Sequence, residues 1–153
     1  MNKLSIALII LVCTIVGNAF AQSNEQEAIK KTINQLFDGM RKSDSTLVSA
    51  AFNKGAILQT IAKTKEGHTV VRSSDLNAFI ASITKPHSEV YDERIVFTKV
   101  LIDDNLASVW TDYKFYIGNR FSHCGVNSFQ LVKAENGWKI VYLIDTRRKE
   151  NCN

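Results

Sequence analysis

The residues best suited to proton-transfer chemistry are Asp112 and His123, which lie on two long predicted strands joined by a short turn. A carboxylate beside an imidazole in a cavity can accept a proton while its partner orients it. The predicted strand register places the two side chains diagonally across one sheet face, within reach of each other. The pattern predicts an acid–base pair, and a structural hydrogen bond or a polar pocket lining is the alternative interpretation.

Other kinds of site have little support in the sequence. The histidines His68, His87 and His123 fall on different predicted elements, whereas a metal site needs three or four convergent ligands. The chain has no Gly-x-Ser-x-Gly motif and no glycine-rich phosphate loop. Its net charge is only +4, and the basic clusters Lys30-Lys31 and Arg147–Lys149 are not interleaved with aromatic residues. We therefore expect no metal, no cofactor and no nucleic-acid partner.

The elements that must position these residues are helices followed by strands. Apolar residues at helical spacing predict helices at 24–40, after the capping pair Ser43-Asp44, and at 74–84 before Pro86. A short hairpin, 56–62 and 67–72, separates the second helix from the third. The long strands predicted after it are His87–Ile102, Leu106–Ile117, Phe121–Lys133 and Trp138–Arg147. This order predicts an α+β domain with its helices gathered on one face of an antiparallel sheet.

The turns between the long strands decide which residues share a face. We interpret Gly118-Asn119 and Asn136-Gly137 as two-residue turns. The resulting pairs include Lys114 with His123, Trp110 with Asn127, Leu131 with Tyr142, and Phe129 with Ile144. One face then carries Trp110, Asp112, Tyr116, His123, Asn127, Phe129, Leu131, Trp138, Ile140, Tyr142 and Ile144. The other face carries Val109, Thr111, Tyr113, Phe115, Cys124, Val126, Gln130, Val132, Val141 and Leu143, and a one-residue slip would exchange the two faces.

The amino terminus has the pattern of a cleaved secretory signal. Lys3 precedes a short apolar run, and a small-x-small sequence ends at Ala21. The run is shorter than the roughly 18 to 20 apolar residues that a membrane-spanning helix needs. We predict a signal peptide over residues 1–21 and one exported domain, periplasmic or secreted, over residues 22–153. No membrane attachment is expected after cleavage.

Two cysteines follow the predicted signal peptide, Cys124 and Cys152. An even number of cysteines in an oxidising compartment favours a disulfide. The predicted register places Cys124 opposite Lys149, close to Cys152. The sequence therefore favours a bond between Cys124 and Cys152, with two free thiols as the alternative.

The carboxy-terminal half resembles a known superfamily. The resemblance rests on the segments His123–Leu131, Asn136–Ile140 and Asp145–Arg148, and on Trp110 three residues before Tyr113. Together with the element order, they resemble the NTF2-like superfamily, which includes the SnoaL-like cyclases and the ketosteroid isomerases, and within it the exported branch labelled "putative lumazine-binding". The resemblance implies a cone: a curved antiparallel sheet wraps three amino-terminal helices and leaves a pocket. It also implies a homodimer through the outer sheet face.

Three hypotheses about function follow from the resemblance and the predicted faces. The first is an exported domain whose pocket binds a small, partly apolar molecule, lined by Phe37, Met40, Trp110, Asp112, Tyr116, His123 and Asn127. The second is an isomerase or cyclase that uses Asp112 and His123. The third is a structural dimer whose interior is filled by its own side chains.

Overall fold

The computed structural model describes the backbone of residues 3–152 and the side chains of residues 22–152. Within these residues the chain forms three helices, α1 (Lys3–Lys42), α2 (Ser45–Ala51) and α3 (Leu76–Thr84). The strands are β1 (Phe52–Lys63), β2 (Thr69–Ser74), β3 (Tyr91–Asp103), β4 (Leu106–Ile117), β5 (Arg120–Ala134) and β6 (Gly137–Thr146). In this part of the chain, none of the helices is both long enough and apolar enough to cross a membrane. The predicted signal peptide lies outside the residues whose side chains are described, and export stays a prediction.

The six strands form one sheet in the order β2-β1-β6-β5-β4-β3. β1 and β6 run parallel, and the other neighbouring pairs are antiparallel. The early hairpin of β1 and β2 thus extends the meander formed by β3 to β6. The sheet curves without closing, and the helices pack on its inner face, which confirms the predicted α+β cone.

The helical side chains predicted to face inward form the core. Ile29, Ile33 and Leu36 of α1 are at most 1% exposed, and they belong to one cluster with Phe129 and Ile140 of the sheet. Burying one large apolar side chain stabilises a fold by roughly 1.5–3 kcal/mol. The contact between α1 and the sheet therefore holds the inner face in place and fixes the closed end of the cone.

Side-chain caps start the two shorter helices where the sequence predicts them. The carboxylate of Asp44 accepts hydrogen bonds from the backbone N–H groups of Thr46 and Leu47. The carboxylate of Asp75 accepts one from Ala78 at the start of α3. Each cap satisfies a backbone donor that the helix leaves unpaired, and is worth about 1 kcal/mol.

A bulge between β4 and β5 overturns part of the predicted register. The turn at Gly118-Asn119 is as predicted, because Ile117 pairs with Arg120. Beyond it, Tyr116 pairs with Phe121 but Phe115 pairs with His123, so one extra residue of β5 has no partner. An extra residue in one strand shifts the pairing by one residue. Beyond it, the neighbouring strand places on each sheet face the side chains that an unbroken register would place on the other face. The predicted inner positions of Trp110, Asp112 and Tyr116 are therefore wrong. Val109, Thr111, Tyr113 and Phe115 face inward instead.

A second bulge lies between β5 and β6. Ala134 pairs with Gly137, so the turn residues are Glu135 and Asn136, not Asn136-Gly137 as predicted. Leu131 pairs with Ile140 but Gln130 pairs with Tyr142, which leaves an extra residue in β6. The predicted pairs of Leu131 with Tyr142 and Phe129 with Ile144 are wrong. Trp138 and Ile140 face the core as predicted, whereas Leu143 and Asp145 take the inner positions predicted for Tyr142 and Ile144.

A disulfide joins Cys124 to Cys152, as the sequence favoured. Cys124 is 2% exposed and pairs by backbone hydrogen bonds with Arg148, one residue from the predicted Lys149. The bond therefore ties the carboxy-terminal tail to β5 just beyond the end of β6.

Candidate functional site

A cavity of about 530 Å³ opens between the helices and the inner sheet face. Most of its wall is apolar, and the apolar lining includes Leu36, Phe37, Met40, Phe79, Ile83 and Phe115. α1, α3 and β4 contribute these apolar residues. The volume falls within the 300–1,000 Å³ typical of sites for small organic molecules.

The structure brings together four of the seven residues predicted to line the pocket. Phe37, Met40, His123 and Asn127 line the cavity. The other predicted lining residues, Trp110, Asp112 and Tyr116, face away from it because of the bulge between β4 and β5. Trp110 is 48% exposed, and the ring of Tyr116 lies against the guanidinium of Arg94, 4.2 Å from its centroid. Asp112 is exposed, so the structure does not bring Asp112 and His123 together on one face.

The polar end of the cavity is built around Asp145. Thr60 donates a hydrogen bond to one carboxylate oxygen of Asp145. The Nε of Arg147 donates to the other oxygen at 2.9 Å, and the hydroxyl oxygen of Tyr113 lies 3.3 Å from it. The Asp145 side chain is only 12% exposed, and Arg147 compensates its charge. The hydrogen bonds from Thr60 and Arg147, together with the positive charge of Arg147, therefore satisfy this carboxylate.

Glu93 supplies a second carboxyl group with few partners. The Nδ2 of Asn127 donates to Glu93 Oε1 at 2.8 Å and lies 3.4 Å from the hydroxyl of Thr111. In residues 22–152, no ion pair within 4.0 Å involves Glu93. Burial raises the pKa of Glu93 to about 7, the hydrogen bond from Asn127 opposes that rise, and the nearby charge of Asp145 adds to it. Glu93 can therefore hold or release a proton near neutral pH.

His123 lies between aromatic rings at the same end of the cavity. Its ring centroid is 5.7 Å from that of Tyr113 and 5.0 Å from that of Phe115. Its Nδ1 is 3.0 Å from the hydroxyl of Ser122. Burial lowers the pKa of His123, and the positive charge of Arg147 lowers it further. The imidazole is therefore mainly neutral at pH 7 and adds no positive charge to the cavity.

The side chain of Tyr113 lies across β5 at Gly125 and forms a hydrogen bond with the last residue of β6. Its hydroxyl donates to the backbone carbonyl of Thr146 at 2.8 Å. A Cβ atom on Gly125 would lie 1.8 Å from that carbonyl oxygen and 2.6 Å from the tyrosine ring, so only glycine fits. Burial, and then the negative charges of Asp145 and Glu93, raise the pKa of Tyr113 above its ordinary value. The phenol therefore acts as a hydrogen-bond donor and does not ionise near neutral pH.

A protein-family model described as "Putative lumazine-binding" matches residues 24–143. The chain belongs to this family. The match covers α1 from residue 24 through most of β6, and it includes Glu93, His123 and Asn127. It ends before Asp145 and Arg147, the ion pair at the polar end of the cavity.

The solved structures similar to this family member show an NTF2-like fold. An NTF2-like protein of unknown function from Shewanella baltica OS155 superposes with a TM-score of 0.66 at 19% identity, over 84% of this chain and 97% of that chain. An NTF2-like protein with a cystatin-like fold from Novosphingobium aromaticivorans superposes with a TM-score of 0.71 at 11% identity, over 90% of this chain and 91% of that one. These identities establish the fold alone. The search of curated proteins gave no match.

Glu93, which lies at the polar end of the cavity, was not identified from the sequence. A usable signal was present: Tyr91, Ile95 and Phe97 alternate as apolar inward positions along β3, and Glu93 occupies the same phase. An acidic residue at an inward strand position indicates either a buried partner or a site. The ion pair of Asp145 and Arg147 is a second feature of this site. In the structure it borders the cavity.

Metal ligation has no geometric support in the described residues. No group of three histidine, cysteine, aspartate or glutamate side chains there is arranged to hold a metal ion. The carboxylates of Glu93 and Asp145 share the cavity, but their other neighbours are Asn127, Tyr113, Thr60 and Arg147. These neighbours are hydrogen-bond donors, which suit carboxylates and polar organic groups.

Proposed function

We propose that this protein is an exported binding domain whose cone holds a small, partly apolar molecule. The observation that carries the proposal is the cavity of about 530 Å³, with an apolar wall and a polar end that contains Glu93, Asn127 and His123. Apolar surface supplies the affinity in such sites, and a few polar groups fix the orientation of the ligand. The alternative of a filled interior requires core side chains in this space, and the lining residues leave it open.

Native mass spectrometry of residues 22–153, purified gently from the periplasm, tests the proposal. We expect a retained small molecule that is released when the protein is denatured. Ala78 and its neighbour Asn77 are both exposed on α3, but only Ala78 lines the cavity. Ala78→Trp should therefore abolish retention, and Asn77→Trp should not. A clean native mass together with no ligand-induced rise in melting temperature would contradict the proposal.

A second candidate function is acid–base catalysis, and the observation that favours it is Glu93. A carboxyl group with a pKa near 7 in an apolar cavity suits proton abstraction at neutral pH, because both protonation states are populated. In this form of the enzyme hypothesis, Glu93 replaces the predicted pair of Asp112 and His123. Deuterium exchange into the α-position of a bound cyclic ketone, followed by NMR, tests it. Exchange that Glu93→Gln leaves unchanged would reject Glu93 as the base.

We also propose a homodimer through the outer sheet face. Val96, Leu101 and Trp110 are 64%, 55% and 48% exposed on β3 and β4. Exposed apolar side chains grouped on one face are typical of an interaction surface. Sedimentation equilibrium should give twice the chain mass for the wild type and a single chain for Trp110→Glu. A wild-type monomer at micromolar concentration would end this proposal.

Export rests on the amino-terminal signal pattern and has its own test. Expressed from its natural start in a Gram-negative host, the protein should be recovered from the periplasm with Gln22 as its first residue. Recovery from the cytoplasm with residues 1–21 intact would contradict export.

A further inference from the structure

The cavity has a charge opposite to that of the whole chain. The protein has a net charge of +4. The cavity, however, is lined by the three carboxylates of Asp75, Glu93 and Asp145 and by one guanidinium, that of Arg147. Among residues 22–152 no lysine lines it, and His123 is mainly neutral at pH 7 because burial lowers its pKa. Field lines concentrate in a cavity with low-dielectric walls, so this interior attracts positive charge.

The three carboxylates differ in their surroundings. Asp145 pairs with Arg147 and accepts a further hydrogen bond from Thr60. Asp75 caps α3 at its exposed end. Glu93 accepts one hydrogen bond, from Asn127 to Oε1, and the hydrogen bonds of residues 22–152 include none to its Oε2. A carboxyl group that lines a cavity with an unused oxygen is placed to meet a donor on a bound molecule.

We propose that the cavity selects an organic cation, a protonated amine on an aromatic or alicyclic body, with the Glu93 carboxylate as its counter-ion. This inference rests on the proposed binding function and names the chemical class of the ligand. The apolar body would lie against Phe37, Phe79 and Phe115, and the ammonium group would reach Glu93. Aromatic faces also attract cations, which adds to the preference for an amine over a neutral molecule of the same shape.

Binding of such a cation is linked to protonation of Glu93. Charged and titratable groups surround this carboxyl. The strands and the segment after β6 supply Tyr91 of β3, Tyr113 of β4, His123 of β5, Asp145 of β6 and Arg147. The helices supply Asp75, the N-cap of α3, and Arg41 of α1, which reaches the backbone carbonyl of Glu93. Burial and the charge of Asp145 favour the protonated form of Glu93 in the empty cavity. A cation favours the ionised form, so the affinity for an amine should rise with pH through the range in which Glu93 titrates.

Three probes with one ring system test the inference: 1-naphthylmethylamine, 1-naphthalenemethanol and 1-naphthoate. Isothermal titration calorimetry with residues 22–153 should show the amine binding about 10-fold tighter than the alcohol at about pH 8, and the naphthoate weakest. The advantage of the amine should shrink about 10-fold at about pH 6, where Glu93 is protonated. Glu93→Gln should lower the affinity for the amine about 10-fold and that for the alcohol much less. Glu89→Gln removes the same charge from a half-exposed side chain outside the cavity, and should change neither affinity.

The outcomes separate this inference from the proposed function. Equal affinity for alcohol and amine, or an unchanged preference in Glu93→Gln, would overturn the cationic ligand class while leaving a binding domain. Retained affinity for the alcohol shows that Glu93→Gln is folded, so a lost response to the amine is specific. Failure of all three probes to bind would also overturn the inference. The proposed function would fall only with a clean native mass spectrum and no ligand-induced rise in melting temperature.

Discussion

Replacing Glu93 with glutamine should remove a pH dependence of folding stability that has an unusual sign. The pKa of Glu93 is raised from 4.5 to about 7 in the folded protein, chiefly by burial. The folded state therefore holds a proton that the unfolded chain has released between these two values. Stability from this group is fully present below about pH 4.5, and it is lost as the pH rises through 7.

The magnitude follows from the shift in pKa. One pKa unit corresponds to 1.36 kcal/mol, so a rise from 4.5 to about 7 is worth about 3 kcal/mol. Glutamine keeps the shape of the side chain and still accepts the hydrogen bond from Asn127, but it cannot ionise. The free energy of unfolding of the wild type, relative to Glu93→Gln, should fall by about 3 kcal/mol between about pH 4.5 and pH 8.

Urea unfolding followed by circular dichroism at several pH values measures this difference. Taking the difference between the two proteins cancels the other titrating groups, including His123, whose lowered pKa gives a contribution of opposite sign. Glu27→Gln is a suitable control, because its side chain is 70% exposed on α1 and lies far in sequence from Glu93. A difference between wild type and Glu93→Gln that stays constant with pH would refute the reasoning, since it would mean that the carboxyl group is solvated like a surface one.

Three further predictions concern the frame around the cavity. Cys152→Ser opens a loop of 28 residues and should lower the free energy of unfolding by about 3 kcal/mol in urea titrations, and no loss would show that the tail is held without the bond. Gly125→Ala places a methyl group 1.8 Å from the carbonyl oxygen of Thr146 and should cost at least about 3 kcal/mol, measured in the same way, whereas near-wild-type stability would contradict the close strand contact. Deletion of Ser122 removes the bulge and should preserve a cooperative thermal transition, because Phe115 still pairs with His123 in an unbroken ladder and the inner faces of β4 and β5 still coincide. Loss of that transition would mean that the bulge itself is needed for the fold.

The helices and strands could be predicted from the sequence because their signals are local. Helical spacing in α1, the caps at Asp44 and Asp75 and the turn at Gly118-Asn119 each depend on a few neighbouring residues. The faces of the strands could not be predicted in the same way. A bulge inserts one residue without requiring a particular side chain. The residue types at Ser122 and Val141 therefore do not indicate the two bulges. Because the bulge at Ser122 was not predicted, the inner and outer faces of β4 were exchanged in the prediction. Asp112 was therefore predicted to line the cavity, whereas in the structure it faces away from it.

The candidate site was predicted in part for the same reason. Phe37 and Met40 line the cavity as predicted, because their inward position depends on the helical period of α1. His123 and Asn127 line it as predicted, because β5 faces the helices over its central part. Glu93 was missed because its importance comes from what surrounds it after folding. Burial, one amide donor and a second carboxylate all come from other elements, and no spacing within β3 specifies them.

The disulfide connects the stability of the fold to the charge of the site. Cys152 holds the tail on β5, and the backbone of Arg148 pairs with Cys124 there. Arg147 is the residue immediately before this anchor, and it neutralises Asp145. If the tail were released, Asp145 would lose its cation, and a second uncompensated carboxylate near Glu93 would raise the pKa of Glu93 further. Reduction of the disulfide should therefore change the affinity of the cavity for a cation as well as the stability of the protein, because one covalent bond anchors the segment that carries Arg147, the counter-ion of Asp145.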